Sequence, residues 1–198
     1  VVCDIKGRIL VRSGNPNYET FIRSALKPFQ AIPFLTSGAL EKIGSGEKSL
    51  AIACGSHNGN KLHAREAFKI LWNSDIDVSK LKCPIPKGKK SNLEHNCSGK
   101  HAAFLSTCSK MSWDEENYLD LKHPLQKEII RILSELIGVN NDSFKIERDN
   151  CGALTVFIKL SQIALLYAHL SGSYKPELEQ ISRAMVNNPM LIAGDGVF

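Results

Sequence analysis

Arg23-Ser24-Ala25-Leu26-Lys27-Pro28-Phe29-Gln30 is the stretch on which the reading of the chain turns. Ser24 and Lys27 stand three positions apart, a spacing that puts both side chains on one face of a helical turn. An unprotonated amine at that distance can take the proton of the serine hydroxyl. A free lysine is charged at neutral pH, so burial or a neighbouring cation must first depress its pKa. Arg23 places a positive charge beside Ser24, and a helix start adds positive potential. The pair taken alone is a weak signal, since a capping serine beside a solvated lysine has the same spacing.

Downstream, Ala53-Cys54-Gly55-Ser56-His57-Asn58-Gly59 runs from a short apolar stretch, Ser49 to Ala53, read as a strand, into a helix. Its glycines let the backbone come close to a ligand. Backbone N–H groups at the following helix start suit a carboxylate or an oxyanion. Ser56 and His57 are candidates for substrate contacts, with His63 about one turn further on. A tight turn with a capping serine is the structural alternative. His57 is the rival base to Lys27, but no acidic orienting partner lies near it in sequence.

Six cysteines stand at positions 3, 54, 83, 97, 108 and 151, with no C-x-x-C pair. Two of them sit in polar, Gly-containing turns that precede helices: Asn96-Cys97-Ser98-Gly99-Lys100-His101 and Asp149-Asn150-Cys151-Gly152. Two thiolates and a third donor suit zinc with one open position. Cys97 and Lys100 share a helical face. Lysine is an uncommon ligand because it must lose its proton, so His101 and Asp149 are the more ordinary third donors, and two buried structural thiols are the alternative to any metal. The other four cysteines read as packing residues.

The remainder reads as an α+β chain rich in helix, forming one domain over residues 1–198. Val1 to Val11 suggests a hairpin, and Asn15-Pro16-Asn17 a turn. The pattern turns helical from Thr20. Helices are expected over Leu62–Trp72, from Cys97 onward, from His123-Pro124 to Gly138, over the strongly apolar Leu154–Leu170, and finally over Glu177–Val186. Phe144–Ile146 is a short strand. Both ends read as cut: Val1-Val2-Cys3-Asp4 as a strand under way, and Ile192 to Phe198 as a Gly-rich turn leading onward.

Of 198 residues, 43% are hydrophobic and 23% charged, as in ordinary soluble globular proteins. The net charge of +5 comes from scattered Lys and Arg. The one dense cluster, Lys87, Lys89 and Lys90, lies in a Pro/Gly-rich loop and reads as solvated, so no nucleic-acid partner is expected. With no long apolar run and no signal peptide, neither membrane insertion nor export is expected. The cysteine pattern fits a reducing, cytoplasmic setting.

Taken together, these segments, with His63 and His123-Pro124-Leu125-Gln126, resemble the Rhizobium-type L-asparaginase (asparaginase II) family over nearly the whole chain. The resemblance implies a fold similar to serine β-lactamases and glutaminases, with a helical region packed against a mainly antiparallel sheet. The same S-x-x-K spacing marks the acylated serine of those β-lactamases. It implies hydrolysis of L-asparagine to L-aspartate and ammonia, usually by a homodimer. It puts the nucleophile on Ser24, its lysine on Lys27 and a second active-site serine on Ser56. It puts zinc on Cys97, Lys100 and Cys151, serving to orient substrate, with Arg23, His57, His101 and Asp149 as candidate substrate contacts. The family's second Ser–Lys pair draws its lysine from a region that would lie beyond Phe198. The rival readings are another serine amidase, of glutaminase or β-lactamase type, and an inactive homologue that binds zinc or an amino acid.

Overall fold

A computed structural model describes residues 1–172 and 175–196. Val197 and Phe198, at the tip of the Gly-rich end, lie outside the described residues.

The architecture is α+β, as the sequence predicts, with helices dominating two small antiparallel sheets. β1 (Val2–Cys3) and β2 (Ile9–Val11) form the expected hairpin. The second sheet has the order β3-β5-β4, made of β3 (Glu19–Phe21), β4 (Lys145–Arg148) and β5 (Leu154–Lys159). Thr20 pairs with Ile158 on one side of β5, and Ile146 with Val156 on the other. β5 is central and largely buried.

Helix α1 (Lys27–Gln30) and helix α2 (Ile32–Thr36) continue inward from a 3-10 turn at Arg23–Leu26. After α3 (Ala39–Lys42), α4 (Glu47–Cys54) runs through the centre. Leu50, Ala51, Ile52 and Ala53 are all buried there. It packs against α5 (Lys61–Asn73), α6 (Ser98–Met111) and α9 (Pro176–Asn187). α4 and α6 approach so closely that a Cβ on Gly99 would sit 2.4 Å from the Ile52 carbonyl oxygen, which explains glycine at that crossing. α7 (Pro124–Ile137) and α8 (Leu160–Gly172) complete the helical layer, and the short α10 (Pro189–Ile192) lies on α4.

Four expectations are corrected. Ser49–Ala53 is helix, not strand: every residue from Ser49 to Cys54 is buried, so that part of the helix shows no exposed face and its period is invisible. Leu154–Leu170 is a strand followed by a helix. Thr155, Val156 and Ile158 favour the pleated part, and the helix starts at Leu160. Thr20 lies in β3, and helical backbone begins only at Arg23. Glu177–Val186 is not the last helix, since α10 follows it. By contrast, α5 and α7 fall where expected, with Pro124 opening α7 and Gly138, at φ 75°, closing it.

Candidate active site

Lys27 is wholly buried at the start of α1. Its Nζ donates to the Gly55 carbonyl at 2.5 Å, to the Asn96 carbonyl at 2.9 Å and to Ser56 Oγ at 2.8 Å. Burial pushes its pKa down. Once neutral, the amine keeps two N–H donors and one lone pair. The two carbonyls can only accept, so they take both donors. The lone pair is then left for the Ser56 hydroxyl, and that hydrogen bond reverses direction. Lys27 is thereby built to receive a proton from Ser56.

Ser24 is placed differently. It lies in the 3-10 turn before α1, exposed, and among the described residues its hydroxyl makes no hydrogen bond. The spacing argument pairs Lys27 with Ser24, while the serine bonded to it lies 29 positions further on. Arg23, just before Ser24, has φ 52°, a strained value for a side chain of that size. Its N–H is held by Thr155 Oγ1 at 2.9 Å. Its guanidinium pairs with the Asp149 carboxylate at 2.7 Å. The two sequence candidates Arg23 and Asp149 thus meet as an ion pair.

The Ser56 loop joins two helices, α4 and α5. Its backbone N–H groups are largely committed. Ser56 N–H bonds the Ile192 carbonyl at 2.8 Å, Asn58 N–H bonds Ala193 at 2.9 Å, and Gly59 N–H bonds His57 Nδ1 at 3.3 Å. Within the loop itself only the His57 N–H has no partner among the described residues. A Cβ on Gly59 would lie 1.8 Å from the Glu94 carbonyl oxygen, so this turn requires glycine. Asn60 caps α5 together with His63, whose Nδ1 accepts Asn60 N–H at 3.3 Å. His63 Nε2–H then donates to the Met190 carbonyl at 2.8 Å.

His57 stacks on His63 with ring centroids 4.6 Å apart, and its Nε2 reaches Ser98 Oγ at 3.4 Å. Burial, then the neighbouring His63, drive its pKa down to about 2. It is a neutral positioning ring, and Nδ1 is occupied by Gly59 N–H.

Beneath Lys27 lie the sulfurs. Cys97 precedes α6 and Cys151 precedes β5, both buried. A hydrogen bond from the Cys151 thiol lowers the Cys97 pKa to about 5, against the opposing effect of burial, and correspondingly raises that of Cys151. Lys100 Nζ lies 3.3 Å from Cys151 Sγ. Among the described residues no group of three or more His, Cys, Asp and Glu side chains is arranged to hold a metal, so the ordinary sets with His101 or Asp149 as third ligand are not assembled. Of the set Cys97, Lys100 and Cys151, the Lys100 amine and the Cys151 sulfur are in contact, and sulfur with amine nitrogen is donor chemistry that suits zinc. His101 is buried, with Nδ1 on Tyr118 Oη at 2.7 Å. Cys54, Cys83 and Cys108 are buried packing thiols, and Cys3 is half-buried.

Sequence reasoning missed Tyr118 and the 190–193 segment, which carry no local motif. It noted His63 without its capping role, although the Asn60-to-His63 spacing signals one.

Among the described residues no helix is long and apolar enough to cross a membrane. No curated relative matches the chain. A family model described as L-asparaginase II matches residues 1–198. The chain belongs to the L-asparaginase II family and is, in its general class, an asparaginase-type amidohydrolase.

Proposed function

We propose that this protein hydrolyses the side-chain amide of L-asparagine through a serine acyl-enzyme, with Lys27 as the base. The observation that carries the reading is the buried Lys27 amine, fixed by two carbonyls with its remaining site on Ser56 Oγ. Ser24 Oγ, exposed and unbonded, attacks the amide carbon. Its proton passes to Ser56 Oγ while the Ser56 proton passes to Lys27 Nζ. The proton then returns to the departing nitrogen, which leaves as ammonia. Water, deprotonated by the same route, releases aspartate. Arg23 and Asp149 offer charges of both signs to the amino-acid end of the substrate. Cys97, Lys100 and Cys151 would hold a zinc ion, which when bound supplies a fixed positive charge for the substrate carboxylate.

A second reading, favoured by the 2.8 Å bond to Lys27, makes Ser56 itself the nucleophile. Trapping the acyl-enzyme with an asparagine analogue and mapping it by mass spectrometry separates the two. Acyl on Ser24, with ammonia release lost in Ser24→Ala, supports the relay; acyl on Ser56 establishes the second reading. No adduct on either serine, with turnover retained in Ser24→Ala and Ser56→Ala, overturns both.

A further inference from the structure

The basic loop that reads as solvated in the sequence carries three lysines, and only one of them is anchored. Lys87 and Lys90 are exposed, and among the described residues their ammonium groups make no hydrogen bond or ion pair. Lys89 differs. Its Nζ donates to the Gly59 carbonyl at 3.2 Å and pairs with the Glu94 carboxylate at 3.7 Å. The chain on either side is built to present it. Lys89 N–H closes a four-residue turn on the Pro86 carbonyl at 3.0 Å, with Gly88 at φ 78° in the third position. Just after it, the N–H groups of Lys90 and Ser91 both donate to the Glu94 carboxylate, at 2.9 and 3.2 Å. The backbone around Lys89 is thus held on both sides, and the carboxylate it faces is fixed as well.

The two partners of Lys89 belong to the two segments that meet on Lys27. Gly59 closes the Ser56 loop, and Ser56 Oγ lies 2.8 Å from Lys27 Nζ. Glu94 stands two positions before Asn96, whose carbonyl accepts from the same amine at 2.9 Å. The segments also touch directly, since the Glu94 carbonyl fills the space beside Gly59. We propose that Lys89 is a positioning residue for the reaction: by bridging the Gly59 carbonyl and the Glu94 carboxylate it locks the Ser56 loop onto the Asn96 segment and so fixes Ser56 Oγ against Lys27. The Ile192 and Ala193 carbonyls tether that loop at Ser56 and Asn58, and Lys89 holds its far end. The Lys89 side chain is 36% exposed, so the bridge adds little to stability and its loss should show in geometry rather than in melting. The proposal rests on reading Ser56 and Lys27 as proton partners, but the lock itself can be measured without turnover.

Carbonyl-carbon magnetic resonance shifts of labelled protein read the lock directly. In Lys89→Met the Gly59 carbonyl loses a charged donor, so its resonance should move to lower frequency, and the Ser56 and Asn96 signals should move with it. Lys87→Met and Lys90→Met should leave all three in place. An unmoved Gly59 signal in Lys89→Met, or equal shifts in all three variants, overturns the proposal. Turnover gives the second arm. In Lys89→Met, kcat for ammonia release from asparagine should fall about tenfold, with KM and melting temperature close to those of the unaltered protein. Lys89→Arg keeps a cationic donor and should recover most of the rate. Undiminished kcat in Lys89→Met, a loss matched by Lys87→Met, or a loss that Lys89→Arg does not recover, overturns the proposal. If the unaltered protein releases no ammonia from asparagine, the proposed reaction fails, and the carbonyl shifts alone decide whether Lys89 locks the loop.

Discussion

Lys27 Nζ and Ser56 Oγ lie 2.8 Å apart although 29 positions separate them in the chain. The contact couples the start of α1 to the loop after α4, and it makes the lysine, not either serine, the centre of the site. Lys27→Met should therefore lower ammonia release from asparagine by about a hundredfold to ten-thousandfold. It should also cost about 1–3 kcal/mol of stability by stranding the Gly55 and Asn96 carbonyls. Steady-state assays and urea unfolding check the two effects. Undiminished turnover in a folded variant would remove Lys27 from the chemistry.

The pH dependence of turnover follows from the same amine. Burial lowers its pKa, and only the uncharged form accepts a proton. Activity should rise with pH through that depressed pKa and fall on acidification. The same acid limb persisting in Lys27→Met, measured on its residual rate, would assign the limb to another group.

Acid should also weaken the fold through His57. Its pKa is about 2 when folded, because of burial and then His63, against 6.5 when unfolded. Between those values the unfolded chain binds a proton that the folded chain refuses. Stability therefore declines as pH drops below about 6.5, by up to about 1.4 kcal/mol per pH unit. Urea unfolding between neutrality and mild acid should show a shallower decline in His57→Gln, and an equal decline would exclude His57 as the cause.

Gly59 combines φ 65° with a backbone neighbour that leaves no room for a methyl group. Gly59→Ala should destabilise the protein by more than about 1 kcal/mol and disturb the Ser56 loop, lowering turnover as well as the melting temperature. A variant with unchanged melting would show that the turn has another way to relax.

Arg23 is 52% exposed at its side chain, so its pair with Asp149 contributes little to stability, about 1 kcal/mol or less. In the proposed reaction its weight falls on substrate. Asp149→Asn should raise KM for asparagine while melting hardly changes. The opposite pattern, lost stability with KM intact, would make the pair structural.

Much of this was legible in the sequence, for reasons that differ by residue. α7 announces itself through Pro124 and Gly138, whose backbone preferences are local. Ser56, Cys97, Lys100 and Cys151 stand in polar, Gly-containing segments, and Lys27 in the S-x-x-K stretch before Pro28, each unusual for plain core. The hydrogen-bond partner of Lys27 is not legible, because spacing reports only the turn a residue sits on, and Ser56 arrives from another helix end. α4 was hidden because burial of every residue from Ser49 to Cys54 erases its period. Tyr118 looks like any core aromatic until its oxygen is followed to Lys82 and His101.

Three carbonyls from the short α10 region, those of Met190, Ile192 and Ala193, tether the loop and helix start around Ser56. The hydroxyl's aim is thus inherited from a strap laid on α4. Leu191 and Ile192 of that strap also belong to the hydrophobic packing, so lesions that spare their side chains and break only the carbonyl tethers should surface in turnover before they surface in heat resistance.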